Sequence, residues 1–276
     1  MDAQQLISDG QLGAALTALQ DQIRKDPSNA KYRTFLFQLL CVQGQWNRAL
    51  TQLNVAAELD AATLPMAQTY REAIQCEALR DEIFAGKRLP VVFGEPLPWI
   101  ALVAEALKLE GEGNAAGGAA ARARAFEDAP ASSGSINGEP FAWLADADVR
   151  IGPVLEVIMN GRYIWVPVQH VSRIEIAAPA DLRDKVWMPA TFTWTNGAST
   201  VGLIPTRYAG TVRPGADDAL LLARRTEWSG DGIGLGQRML ATDAADYALM
   251  DVRTVEFDDG AVAGAVSEAA DTPANG

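Results

Sequence analysis

The chain has 276 residues, 49% of them hydrophobic and 21% charged, and its 35 Asp and Glu against 23 Lys and Arg give a net charge of −12. This is the balance of a globular protein with room for two ordinary domains. Its acidity repels phosphate backbones and anionic head groups, which excludes nucleic acid and membrane surfaces as expected partners.

The N-terminus, Met1-Asp2-Ala3-Gln4-Gln5, has neither a basic nor an apolar leader pattern, and Glu105 and Lys108 interrupt the most apolar helix, Trp99 to Leu109. A cytoplasmic protein without a membrane span is expected. Aligning the N-terminal segment on itself at an offset of 34 pairs Gly10 with Gly44, Ala15 with Ala49, Leu16 with Leu50, Leu19 with Leu53 and Asp26 with Asp60. That is the tetratricopeptide period, in which glycine makes the turn between two helices and a small alanine lets them approach. The first unit is short, and further helices are predicted from Leu64 to Ala85, from Glu95 to Glu112 and from Ala115 to Asp128. The helix Lys31 to Val42 carries more apolar residues than one buried stripe needs, so it must be covered on more than one side or line a groove. Tyr32, Phe35, Leu36 and Leu39 on it, with Trp46 beyond the turn, are the candidate protein-binding residues.

Ala131-Ser132-Ser133-Gly134-Ser135 reads as a linker, after which apolar residues alternate. Asn160-Gly161 and Asn196-Gly197, each flanked by alternating apolar residues, predict two hairpins. Arg173 to Ala177, Leu220 to Glu227 and Tyr247 to Phe257 supply further predicted strands, with a short helical turn over Pro179 to Val186. The expected architecture is therefore α+β: a TPR-like helical domain over residues 1–130, a small, mostly antiparallel sheet or half-barrel over 134–257, and an acidic disordered tail over 258–276.

Signals for chemistry are weak. His170 is the single histidine and stands without clustered ligands, so neither a metal nor a cofactor is expected. Cys41 and Cys76 fall inside helices and read as buried thiols of a reducing compartment. Asp146, Asp148 and Arg150 form a compact acid and base cluster, and Gly230 to Gly236 is a glycine-rich run without the Lys-Ser/Thr ending of a phosphate loop. An ion-pair cluster and a flexible loop are the expected roles. An enzyme or ligand-binding protein using both is the alternative. Most of the five tryptophans in the second half, Trp143, Trp165, Trp187, Trp194 and Trp228, are expected in the core. Arg183, Arg207, Arg224, Arg225 and Arg238 are expected to pair with Asp181, Asp184, Glu227 and Asp243.

The strings LFQLLCVQGQW, AQTYREAIQCEALRDEIFAG, FAWLADADVRIGP, NGRYIWVP, DLRDKVWMPA, LIPTRY, RRTEW and GLGQRMLATD occur in that order between Leu6 and Val255. Together they resemble the ImpE or TagJ family of type VI secretion accessory proteins. Ala245-Asp246-Tyr247-Ala248 departs from the Gly-Glu-Tyr-Pro usual there, which puts the conformation of that turn in question. The resemblance implies a tetratricopeptide-like N-terminal domain, a β-containing C-terminal domain and no catalytic activity. It also implies binding of the N-terminal helix of the small contractile-sheath subunit, with an influence on sheath assembly or recycling.

Overall fold

A computed structural model describes residues 2–95 and 97–258. Apart from Asp258, the expected tail lies outside the described residues. Seven α-helices precede the main sheet, interrupted once by a short strand: α1 (Ala3–Ser8), α2 (Leu12–Lys25), α3 (Ala30–Val42), α4 (Trp46–Leu59), α5 (Leu64–Phe84), β1 (Val91–Val92), α6 (Pro98–Gly111) and α7 (Ala115–Asp128). The expected start of α6 at Glu95 moves to Pro98, because Leu97 is extended before a proline that fits the first turn.

The internal repeat is visible bond by bond. Gly10 and Gly44 both take positive φ, +71° and +67°. Gly10 N–H donates to Ile7 O at 3.0 Å and Gln11 N–H to Leu6 O at 2.8 Å. Thirty-four residues on, Gly44 N–H donates to Cys41 O and Gln45 N–H to Leu40 O at the same two distances. These are Schellman-type closures, in which the left-handed residue lets the chain turn back and satisfy the last carbonyls of a helix. The small and apolar positions that follow, Ala15, Leu19, Ala49 and Leu53, are fully buried.

The sheet half contains β2 (Gly134–Ile136), β3 (Glu139–Phe141), β4 (Leu144–Asp146), β5 (Val154–Met159), β6 (Arg162–Pro167), β7 (Val171–Ile176), β8 (Trp187–Trp194), β9 (Ser199–Pro205), the short α8 (Asp218–Leu221), β10 (Thr226–Trp228), β11 (Gly234–Gly236), β12 (Met239–Thr242), β13 (Asp246–Ala248) and β14 (Thr254–Phe257). Nine strands form one sheet in the order β1-β6-β5-β9-β8-β7-β14-β2-β3. A three-stranded sheet β13-β12-β4 and a ribbon β10-β11 complete the half. Pairing is antiparallel throughout, except that β1, which comes from among the helices, lies parallel to β6.

Asn160 and Gly161, with φ of +50° and +70°, make the two-residue turn between β5 and β6. The second Asn-Gly joins β8 to β9 through a wider loop, closed by Gly197 N–H on Trp194 O at 2.8 Å and Trp194 N–H on Ala198 O at 2.9 Å. The expected helical turn appears as a 3-10 helix, Leu182–Lys185, with a capping box between Asp181 and Asp184.

Two predicted strands are corrected. Leu220 to Glu227 is mostly the end of α8 and a turn at Ala223, whose φ is +52°, because Asp217 caps a helix there by accepting from Ala219 N–H at 2.7 Å. Tyr247 to Phe257 is broken into β13 and β14 by a 3-10 turn at Leu249–Asp251. Trp165, Trp187 and Trp194 are buried as expected, whereas Trp143 and Trp228 are 40% and 45% exposed.

One hydrophobic core joins the helices to a face of the sheet through Ile158, Tyr163, Trp165, Trp187 and Leu203, and a second fills the opposite face around Val157, Ile174, Phe192 and Val255. All six residues of β5 are consequently buried. The chain from Arg207 to Arg224 lies along the glycine turns of the repeat and completes helix ends that lack their own caps. Asp218 Oδ2 accepts Leu12 N–H at 2.8 Å at the start of α2, where Gln11 gives no side-chain cap, and Arg224 Nη2 donates to Ile7 O at 2.8 Å near the end of α1. Val212 fills the space above Gly44, where an added methyl group would overlap its Cγ1. Gly44→Ala is expected to cost about 2–4 kcal/mol, from the left-handed backbone and the overlap together. Thermal melts of G44A with and without V212A check this: the second change should restore the overlap part only.

A groove along the third helix and a buried ion cluster

Asn29 starts α3 by accepting Lys31 N–H at 3.1 Å and Tyr32 N–H at 3.3 Å. Its second half, Leu36 to Val42, is buried at every position. Such a helix must be surrounded, and the wrapping comes from α4, the turn at Leu182–Lys185 and the Arg207 side chain. Arg207 is buried and makes no salt bridge among the described residues. Its Nη1 donates to Val42 O at 2.6 Å and Leu221 O at 2.7 Å, and its Nη2 to Cys41 O at 3.4 Å. The cation thus meets the negative end of the α3 dipole. Burial pulls its pKa down to about 10, opposed by the Glu77 carboxylate, so it stays charged at neutral pH.

The candidate binding residues separate. Leu36 and Leu39 are 5% and 0% exposed and belong to the core, which corrects their assignment to an accessible face. Phe35 is half-buried and lines a depression of about 450 Å³ with Gln4, Ile7, Gln38, Leu182 and Lys185. A neighbouring hollow of about 390 Å³ shares Gln4, Phe35 and Gln38 and adds Lys31, Thr34 and Asp60, so the two form one groove along α3. Tyr32 is half-buried against the core and outside the lining of both hollows. Trp46 packs on Trp187, ring centroids 5.9 Å apart, and lines a different hollow of about 670 Å³ with Leu50 and Ile74. Within the first groove burial lowers the Lys185 pKa, with Arg224 adding to the effect. Arg183 stands 4.7 Å over the Tyr70 ring, and burial raises the Tyr70 hydroxyl to about 12.

Asp146, Asp148 and Arg150 do come together with the glycine-rich run, but as mutually satisfied partners. Arg150 clasps Asp148 through Nε and Nη2 at 2.9 and 2.6 Å, and Asp148 Oδ2 also accepts Gly234 N–H at 3.1 Å. Asp146 is paired with Arg238. Arg238 in turn reaches Glu156, which also takes Arg80 Nε at 2.5 Å and Nη2 at 3.0 Å and the Tyr163 hydroxyl at 2.6 Å. Arg80 contacts Glu77 at 3.5 Å, and Glu77 accepts Trp187 Nε1–H at 2.8 Å. This cluster joins α5 to β4, β5 and β8 in the buried interior. Sequence reasoning passed over Glu77, Arg80 and Glu156; the one available signal was a lone carboxylate inside the otherwise apolar run VLEVIM.

The expected arginine pairs form at Arg183–Asp181, 3.3 Å, and Arg225–Glu227, 2.7 Å. Arg207 and Arg224 bind helix carbonyls and Arg238 binds Asp146 and Glu156 instead, while Asp184 accepts Ala180 and Asp181 N–H and Asp243 accepts Ala142 N–H. Cys41 and Cys76 are buried and free, and burial raises both thiols, Cys76 to about 11. That suppresses the reactive thiolate. His170 is half-buried beside Phe93, its pKa lowered by burial against the pull of Glu95. Among the described residues no cluster of three or more His, Cys, Asp or Glu is placed to hold a metal ion, and no helix is long and apolar enough to cross a membrane.

The family model described as ImpE protein matches residues 138–256. A curated relative, the type VI secretion system accessory component TagJ of Pseudomonas aeruginosa, is 54% identical over 258 residues, covering 94% of this chain and 92% of its own length. The crystal structure of protein VPA1032 from Vibrio parahaemolyticus superposes with a TM-score of 0.84 at 23% identity, over 94% of this chain and 98% of that one, and shares the α+β fold. With more than half of its residues shared with TagJ along nearly its whole length, this chain belongs to the ImpE/TagJ family.

Proposed function

We propose that this protein is a non-enzymatic, cytoplasmic accessory factor of the type VI secretion system. It receives the N-terminal helix of the small contractile-sheath subunit in the groove along α3 and so influences sheath assembly or recycling. The observation that carries the reading is Phe35, a large aromatic left half-open on the central repeat helix and lining a groove bounded by α1 and the Leu182–Lys185 turn. An amphipathic helix laid in such a groove buries its apolar stripe against one or two anchors of this kind. The name of the Pseudomonas aeruginosa relative supports the secretion-system role, and the family resemblance supplies the partner. A catalytic reading finds no support in the Asp146, Asp148 and Arg150 cluster, whose carboxylates are neutralised by Arg150 and Arg238.

Calorimetric titration of the full chain with a synthetic peptide of the sheath subunit's N-terminal helix tests the proposal. Saturable binding is expected, weakened at least about tenfold, or ~1.4 kcal/mol, by Phe35→Asp, with circular dichroism reporting a retained fold, because Phe35 packs at the half-exposed margin of the core. Wild-type affinity in F35D would remove the groove from consideration. Leu39→Asp is unsuitable as a probe, since a charge at this fully buried position should unfold the protein.

A further inference from the structure

A further apolar hollow, of about 400 Å³, lies on the sheet half where the end of α7 and the following linker meet β4. Phe126, Pro130, Trp143, Leu144 and Val149 line it. Trp143 and Val149 stay 40% and 37% exposed there, although the same half buries three other tryptophans. Large apolar side chains held open around a concavity are characteristic of a docking site. β4 ends the three-stranded sheet and, among the described residues, has β12 as its one strand neighbour. Ser132, also in the lining, is 3% exposed, and its hydroxyl has no hydrogen-bond partner among the described residues.

Three exposed carboxylates neighbour the residues that line the hollow. Asp128 ends α7 next to the lining residue Ala129. Asp231 precedes Gly232, whose carbonyl accepts Val149 N–H at 3.4 Å. Asp243 accepts Ala142 N–H at 2.7 Å, immediately before Trp143. All three carboxylates are exposed. The cations nearby do not neutralise them as a set: Arg124 approaches Asp128 at 3.9 Å, and Arg150 is turned inward onto Asp148 and Ala209 O.

We propose that this hollow docks a cationic protein segment that presents an aliphatic or aromatic anchor between lysines or arginines. The anchor packs against Trp143 and Val149, and its cations face Asp128, Asp231 and Asp243. Charge complementarity selects this occupant over an acidic one. The site is separate from the α3 groove and does not depend on what that groove binds.

The test is fluorescence anisotropy of a labelled eight-residue peptide alternating lysine with leucine and tryptophan, titrated with the full chain at about 50 mM salt, where surface charges are only partly screened. Saturable binding is expected, weakened about tenfold by Trp143→Ala and also by Val149→Ser, and lost when glutamate replaces lysine in the peptide. Both variants alter exposed side chains, so circular dichroism should report an intact fold. The proposal is overturned by absence of binding, or by equal binding of wild type and both variants, which would assign the affinity to net charge alone. It is equally overturned if binding appears only after residues 259–276 are removed, which would give the hollow to the chain's own C-terminal segment.

Discussion

Replacing Glu156 by alanine is expected to destabilise the protein by about 3–5 kcal/mol, the largest effect of any single substitution outside the apolar core. Glu156 is 1% exposed and is the common partner of Arg80 and Arg238. Removing it strands two guanidinium groups in the interior with one carboxylate each, Glu77 and Asp146, and deletes the acceptor of the Tyr163 hydroxyl. Leaving a buried charge without its partner costs more than the pair contributes, so truncation is far more damaging than the net worth of the cluster suggests. Urea unfolding should show a lowered midpoint at unchanged slope. A wild-type midpoint in E156A would mean that water reaches the cluster.

The same residue sets the acid limb of stability. Burial alone would raise the Glu156 carboxyl, but the Arg80 and Arg238 charges outweigh it and hold the group far below its ordinary 4.5. A depressed folded-state value contributes stability that is complete above the unfolded value and is lost as pH falls through the folded one. Asp146 acts in the opposite sense. Burial raises its carboxyl above the usual 3.8 despite Arg238, so its protonation partly offsets the loss in the mildly acidic range. Acid unfolding should therefore set in below about pH 4, and Glu156→Gln should flatten that limb when urea midpoints are compared from about pH 3 to 6.

Arg207→Met should cost about 2–4 kcal/mol by a different route. The methionine keeps much of the apolar stem but leaves Cys41 O, Val42 O and Leu221 O without their donor. Hydrogen exchange should accelerate first in the last turn of α3, ahead of the sheet strands, and uniform loss of protection would argue against a capping role. A fragment ending at Pro130 lacks Arg207, Asp218 and Arg224 as well as the strand that pairs with β1, and is expected to show no cooperative unfolding transition.

Much of the scaffold was legible in the sequence, because local signals there agree with the tertiary outcome. The offset that pairs Gly10 with Gly44 foretold two turns with matching hydrogen bonds, and Asn160-Gly161 foretold a hairpin, since few other residue pairs accept left-handed backbone at both positions. Leu220 to Glu227 misled because its apolar run serves a short capped helix, and periodicity cannot separate strand from helix over so few residues. The surplus apolar face of α3 was correctly seen to need cover. Whether that cover was a partner or the rest of the chain depended on Leu182 and Arg207, more than a hundred residues away. The ion cluster was hidden for the same reason: an isolated glutamate on a strand reads as solvent-facing until both faces of the sheet are known to be covered.

The parallel pairing of β1 with β6 constrains the order in which the molecule can be made. The ribosome delivers every helix through α7 before the first residue of β6, and the groups that finish the turns of the repeat arrive later still, at Arg207, Asp218 and Arg224. During synthesis the helical half must wait, with the side of α3 that the Leu182–Lys185 turn and Arg207 cover left open, until most of the chain has emerged. The nascent chain should therefore depend on chaperones over that interval in a way that a self-contained helical repeat would not.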